Sequence, residues 1–168
     1  MQATEITPNN NVEMISAEAT TTSQLNKPIL KRGSKGSAVV ELQKLLTHWG
    51  YYFGPLTGEF DIDIEYAVKA FQHRVFLKED GIVGSLTWQA LYSGAPVNMP
   101  ILRRGSSGQA VIIVQEVLQM NGFYPYAIDG IFGSMTEVAV RSFQLNSGLP
   151  ADGIVGPRTW YALSKLPH

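Results

Sequence analysis

The chain has 168 residues, of which 13 are Lys or Arg and 14 Asp or Glu, for a net charge of -1, with 45% hydrophobic residues and no cysteine. Without a basic face to displace counterions from phosphates, nucleic acid is not an expected target. Without cysteine, disulfide scaffolds, thiolate metal sites and cysteine nucleophiles are excluded. The apolar fraction is that of a folded globular protein, and no stretch approaches the roughly 18 apolar residues of a bilayer span.

Residues 1–27 are rich in Thr, Asn, Glu and Ser without periodicity and are predicted to be a flexible leader. They lack the basic and apolar regions of a secretory signal. From Pro28 onward the sequence repeats itself. Shifted by 72 residues, Pro28–Leu91 aligns with Pro100–Leu163 without a gap and with nearly half the positions identical. A fixed internal period of this length marks each copy as a structural module. The predicted organisation is a leader (1–27), a first module (28–92), a linker (93–99) and a second module (100–168).

Each copy opens on a predicted helix. Val39, Leu42, Leu45 and Leu46, and likewise Val111, Val114, Val117 and Leu118, recur at three- and four-residue steps. Gly50 and Gly122 suit the left-handed position that closes a helix. A second helix is predicted through Ala67, Val68, Phe71 and Val75, and through Ala139, Val140 and Phe143. Ser134 and Glu137 have the spacing of a capping box. A short third helix carries Trp88 and Leu91, or Trp160 and Leu163, and Pro157 fits its first turn. Asp80-Gly81, Asn121-Gly122, Asp129-Gly130 and Asp152-Gly153 mark the turns between helices. The prediction is an all-α chain of two tandem three-helix modules, each of about 60 residues, a size at which burial is only just sufficient for stability.

The ordered blocks of the second copy, LRRGSSGQAV (102–111), IDGIFGSMTEVAVRSFQ (128–144) and LPADGIVGPRTWYAL (149–163), resemble the pattern of the peptidoglycan-binding domain 1 modules of bacterial wall hydrolases, carboxypeptidases and spore-cortex enzymes. The resemblance covers Ile29–Leu91 and Ile101–Leu163. It implies retention on bacterial cell wall, with peptidoglycan as partner and the cell wall or periplasm as location, and a non-catalytic role is expected because no Ser/His/Asp set or glycine-rich phosphate loop is apparent. The first copy departs from the pattern. Thr57, Asp61 and Ile64 stand where the second copy has Asp129, Gly133 and Thr136.

Peptidoglycan offers sugar hydroxyls, acetamido groups and short stem peptides, so a groove with an aromatic platform and a few directed polar groups suits it. In the second copy Tyr124, Tyr126, Asp129, Arg158 and Tyr161 supply such groups near the predicted turns, joined as candidates by Gln144, Asp152 and Trp160. In the first copy the candidates are Tyr52, Gln72, Asp80 and Trp88. Each has a structural alternative. The tryptophans fit a core or one edge of a ligand site, the aspartates fit turn formation, and the glutamines fit bracing a loop or donating to a ligand amide. The glycines at 33, 36, 105 and 108 read as backbone requirements.

No cofactor or metal site is predicted. His48, His73 and His168 lie in different segments without the spacing of a zinc pair. Asp61, Asp63 and Glu65 are expected to favour a helix start rather than to form a glycosidase pair. The rival reading is an adaptor that docks on a separate cell-wall hydrolase or assembly.

Overall fold

The computed structural model describes residues 26–168, and the leader expected over 1–27 lies almost entirely outside them. Six helices follow in chain order: α1 (Ser37–His48), α2 (Ile62–Arg74), α3 (Ser85–Ser93), α4 (Gln109–Met120), α5 (Ser134–Asn146) and α6 (Pro157–Ser164). Three belong to each copy of the repeat, and no named strand occurs among the described residues, so the chain is all-α with tandem three-helix modules. It divides into two compact units. The second begins at Gly94 and also takes in His73–Leu77, at the end of α2.

The helices form where apolar residues share a face. α1 buries Val39, Leu42 and Leu46, and α4 buries Val111, Val114, Val117 and Leu118. Both end as expected, with Gly50 at φ 87° and Gly122 at φ 84° just past the last turn. α2 stops at Arg74, one residue before Val75, which is nevertheless fully buried. Pro157 occupies the first turn of α6. The acidic start of α2 behaves as a cap, since Asp61 Oδ1 accepts the Ile64 amide at 3.0 Å.

The capping box expected at Ser134 and Glu137 does not form. Gly133 holds the extended position before α5 and makes no side-chain cap, so Ser134 is already helical. The Glu137 amide bonds the Gly133 carbonyl at 3.0 Å. The Glu137 carboxylate turns instead to Arg104 at 3.1 Å and Arg141 at 3.3 Å.

Short antiparallel bridges tie the lead-in segment of each module to both of its turns. Leu102 pairs with Val155 and Ser107 with Ile131, as Leu30 pairs with Val83 and Lys35 with Glu59. Trp160 fills the core at 1% exposure and its Nε1 donates to the Pro100 carbonyl at 2.8 Å. Trp88 does the same with the Pro28 carbonyl at 2.9 Å. The second core is completed by Phe132, Phe143, Val140 and Leu163.

Candidate functional site

Four glutamines, one on each long helix, organise the turns. Gln144 is buried on α5. Its Nε2 lies 3.0 Å from Asp152 Oδ1, 2.9 Å from the Ile154 carbonyl and 3.1 Å from Thr159 Oγ1. Its Oε1 accepts the Gly153 amide at 3.0 Å. An amide nitrogen has two hydrogens, so three oxygens share them and the loop is held from several sides. Gln72 repeats the pattern with Asp80, Ile82, Thr87 and Gly81. Gln115 on α4 repeats it again with Asp129, Ile131, Thr136 and Gly130, and adds Tyr124 Oη at 3.3 Å. Gln43 has fewer partners, Thr57 Oγ1 at 3.1 Å, the Gly58 amide at 2.9 Å and the Tyr52 hydroxyl.

The loop-bracing role considered for the glutamines is present in the structure. Gln72 and Gln144 spend their polar atoms inside the protein. The aspartates are turn formers: Asp152 and Asp129 accept the amides two residues on, from Ile154 and Ile131, at 2.9 and 3.0 Å. The Ile131 amide, followed by Gln115, holds the Asp129 carboxyl below its ordinary range. The Ile154 amide, helped by Gln144, does the same for Asp152 against the opposing effect of burial. Asp80 Oδ1 accepts the Ile82 amide at 2.9 Å. Gly153, at φ 74°, holds a backbone conformation that strains any side chain, and a Cβ there would lie 3.0 Å from Glu137 Cγ, which would have to move aside.

Trp88 and Trp160 are core residues at 0% and 1% exposure, the core alternative of the two that the sequence left open. Tyr52 and Tyr124 are also buried, at 8% and 4%, with their hydroxyls donating to the Pro55 and Ala127 carbonyls. Tyr126 and Tyr161 are open to solvent at 50% and 39%, and Arg158 is exposed.

Surface pockets of the second module lie beside these braced turns. One, of about 350 Å³, lies at the first turn between Tyr126, Asp129, Ile131 and Met135, with Tyr124 beneath. The rings of Tyr124 and Tyr126 meet edge to face at 5.7 Å. A second, of about 160 Å³, occupies the equivalent place at the second turn, between Pro150, Asp152, Ile154 and Arg158. A third, of about 600 Å³, runs along α6 over Leu149, Pro157, Ala162 and Leu166, bordered by Arg158, Tyr161 and Lys165. The last two share Leu149, Pro157 and Arg158. Of the expected candidates, Asp152, Gln144 and Arg158 meet at the second turn and Arg158 and Tyr161 along α6, whereas Tyr124, Tyr126 and Asp129 belong to the first.

Gln115, Gln43, Lys165 and Leu149 escaped the sequence reading. A signal for Gln115 exists: the run DGI-x-G-x-x-T occurs twice within the second copy, at 129–136 and 152–159, each time with a glutamine on the preceding helix. Lys165 stands seven residues after Arg158 and four after Tyr161, a spacing that shares one helix face.

These surfaces offer aromatic and apolar contact with a few fixed polar groups. Among the described residues, no three His, Cys, Asp or Glu side chains gather to hold a metal ion, and no helix is long and apolar enough to cross a membrane.

Comparison with known proteins agrees with the repeat. The chain is 36% identical over 152 residues to N-acetylmuramoyl-L-alanine amidase CwlM of Mycobacterium tuberculosis, covering 82% of this chain and 37% of that protein. It is 34% identical over 185 residues to N-acetylmuramoyl-L-alanine amidase CwlL of Bacillus licheniformis, covering 90% of this chain and 50% of that one. The chain thus spans half or less of the length of these relatives. The crystal structure of the SleB N-terminal domain matches 39% of this chain and 90% of its own, with 45% identity and a TM-score of 0.39. The family described as "Putative peptidoglycan binding domain" matches twice, at residues 35–91 and 107–163. With one match in each three-helix module, together more than half of the sequence, the chain belongs to the peptidoglycan binding domain family.

Proposed function

We propose that the chain binds bacterial cell-wall peptidoglycan without acting on it chemically, through tandem modules at 28–92 and 100–168, with the second as the stronger binder. The observation that carries this reading is the set of three pockets on the second module, placed beside turns that glutamine side chains hold rigid. Preformed grooves lined by exposed aromatic and apolar groups lose little freedom on binding a polymer. The relatives named as amidases are consistent with a wall ligand. A single small module binds weakly, but two on one chain facing a repeating polymer gain up to about 10² to 10⁴ in avidity where both engage.

The test is sedimentation of the whole chain with purified sacculi. The expected result is co-sedimentation that falls at least tenfold in the Tyr126→Ala/Tyr161→Ala variant, while retained helical circular dichroism shows that the fold persists. A chain that stays in the supernatant and instead captures one stoichiometric wall hydrolase supports the adaptor reading.

A further inference from the structure

We propose that the α6 groove of the second module takes the peptide portion of the wall, an acidic stem peptide with small apolar side chains, rather than the glycan. The proposal rests on the wall-binding reading and names the chemistry of one of its sites.

The groove combines an apolar floor with two cations on one border. Leu149, Pro157, Ala162 and Leu166 supply the floor, and Arg158 and Lys165 the charge. No ion pair among the described residues involves either cation. The contrast with Arg104 and Arg141 is direct, since both are paired with Glu137 in the same module. Lys165 Nζ is drawn 4.6 Å from the centroid of the Tyr161 ring, which holds the cation beside the groove without neutralising it. No carboxylate lines this groove. The nearest pocket that contains one, at the second turn, has Asp152, whose Oδ1 is already engaged by the Ile154 amide and Gln144.

Uncharged sugar hydroxyls and acetamido groups give no reason to keep two unpaired cations at an apolar surface, whereas carboxylates do. Spacing agrees. Seven residues of α-helix advance about 10 Å, the span of about three extended peptide residues, so carboxylates that far apart can meet Arg158 and Lys165 together. The apolar floor between them suits alanine-sized side chains. The first module lacks the charges, because Leu86 and Ser93 stand at the corresponding positions, with Gln89 in place of Tyr161. Acidic peptide recognition is therefore a property of the second module alone.

The test titrates the full chain, by isothermal calorimetry at low salt, with three probes: a synthetic stem tetrapeptide with free carboxylates, the same peptide with its carboxylates converted to carboxamides, and a peptide-free N-acetylglucosamine oligomer. The expected result is that the free acid binds at least tenfold more tightly than the carboxamide, and that the Arg158→Gln/Lys165→Gln variant abolishes this difference. Both side chains are exposed, and a thermal melt of the variant confirms that it remains folded. Affinity for the acid that is unchanged in the variant, no preference for acid over carboxamide, or loss in the variant of binding to the sugar oligomer overturns the proposal. Sedimentation with sacculi is read separately. A chain that sediments but ignores the peptide refutes the groove assignment and leaves wall binding intact, whereas a chain that does neither refutes both.

Discussion

The first turn of the two modules, at 57–64 and at 129–136, is the same piece of backbone held in two ways. In the second module Gln115 reaches Asp129, Ile131, Thr136 and Tyr124 through one nitrogen. In the first, Gln43 reaches Thr57 and Tyr52 but has no aspartate or threonine of the kind at 129 and 136 to meet, because Thr57 stands in place of Asp129 and Ile64, fully buried and apolar, in place of Thr136. The backbone bridge survives in both, as Lys35 with Glu59 and Ser107 with Ile131. So does the hydrogen bond from the turn glycine to the glutamine oxygen. One glutamine oxygen and one bridge are enough to shape the turn. The remaining polar groups fasten it, and in the second module they fasten it beside a pocket.

That comparison can be broken most directly at the glutamines. Gln115→Leu strands the Gly130 amide and several buried oxygens and is expected to cost about 3 kcal/mol, whereas Gln43→Leu costs about 1 kcal/mol. Hydrogen exchange of the Gly130 and Gly58 amides reads the two modules separately, and equal losses would end the distinction. A smaller effect tests the acceptors. Asp129→Ala is expected to lower the urea midpoint more than Thr57→Ala does, because Asp129 accepts both the Ile131 amide and Gln115 whereas Thr57 meets Gln43 and the Glu59 amide through one hydroxyl.

Acid sharpens the comparison further. Asp129 and Asp152 are held below the ordinary aspartate value of 3.8 in the folded state. A depressed folded value means stability that is present above the unfolded value and lost as pH falls through the folded one. Below about pH 4 the second module should therefore weaken, and Asp129→Asn should flatten its acid limb. Carboxyl carbon shifts followed by NMR locate both midpoints, and midpoints at or above the ordinary value would contradict the hydrogen-bond account. Smallest are the exposed charge clusters. Glu137→Gln and Glu65→Gln should each cost about 0.5 kcal/mol and vanish in high salt, equally in both modules, because Arg32 and Arg104 meet these carboxylates in the same way.

Much of the fold was legible because it depends on periodicities that one sequence displays. The 72-residue shift, the apolar faces of α1, α2, α4 and α5, and the glycines that close the first helices all follow from local rules. The capping box failed for a reason that local rules do not contain. Ser134 and Glu137 have the right spacing, but Arg104, thirty-three residues from Glu137, claims the carboxylate. The candidate site was legible as composition and not as accessibility. Tyr124 and Tyr126 are two residues apart and equally plausible on the page, yet one is braced by Gln115 and Ala127 while the other faces solvent. Lys165 was missed because its significance comes from what does not pair with it, which only coordinates reveal.

The bond from the Trp160 indole to the Pro100 carbonyl, together with the paired Leu102 and Val155, fastens the entrance of the second module to its exit. A module whose two ends meet over the same tryptophan asks little of the chain on either side. It can be copied, strung in series or spliced into a host protein without reopening its interior, because the seam travels with it. Trp88 and Pro28 close the first module in the same manner, so duplication here repeated the fastening along with the fold and left the surface of each copy free to diverge.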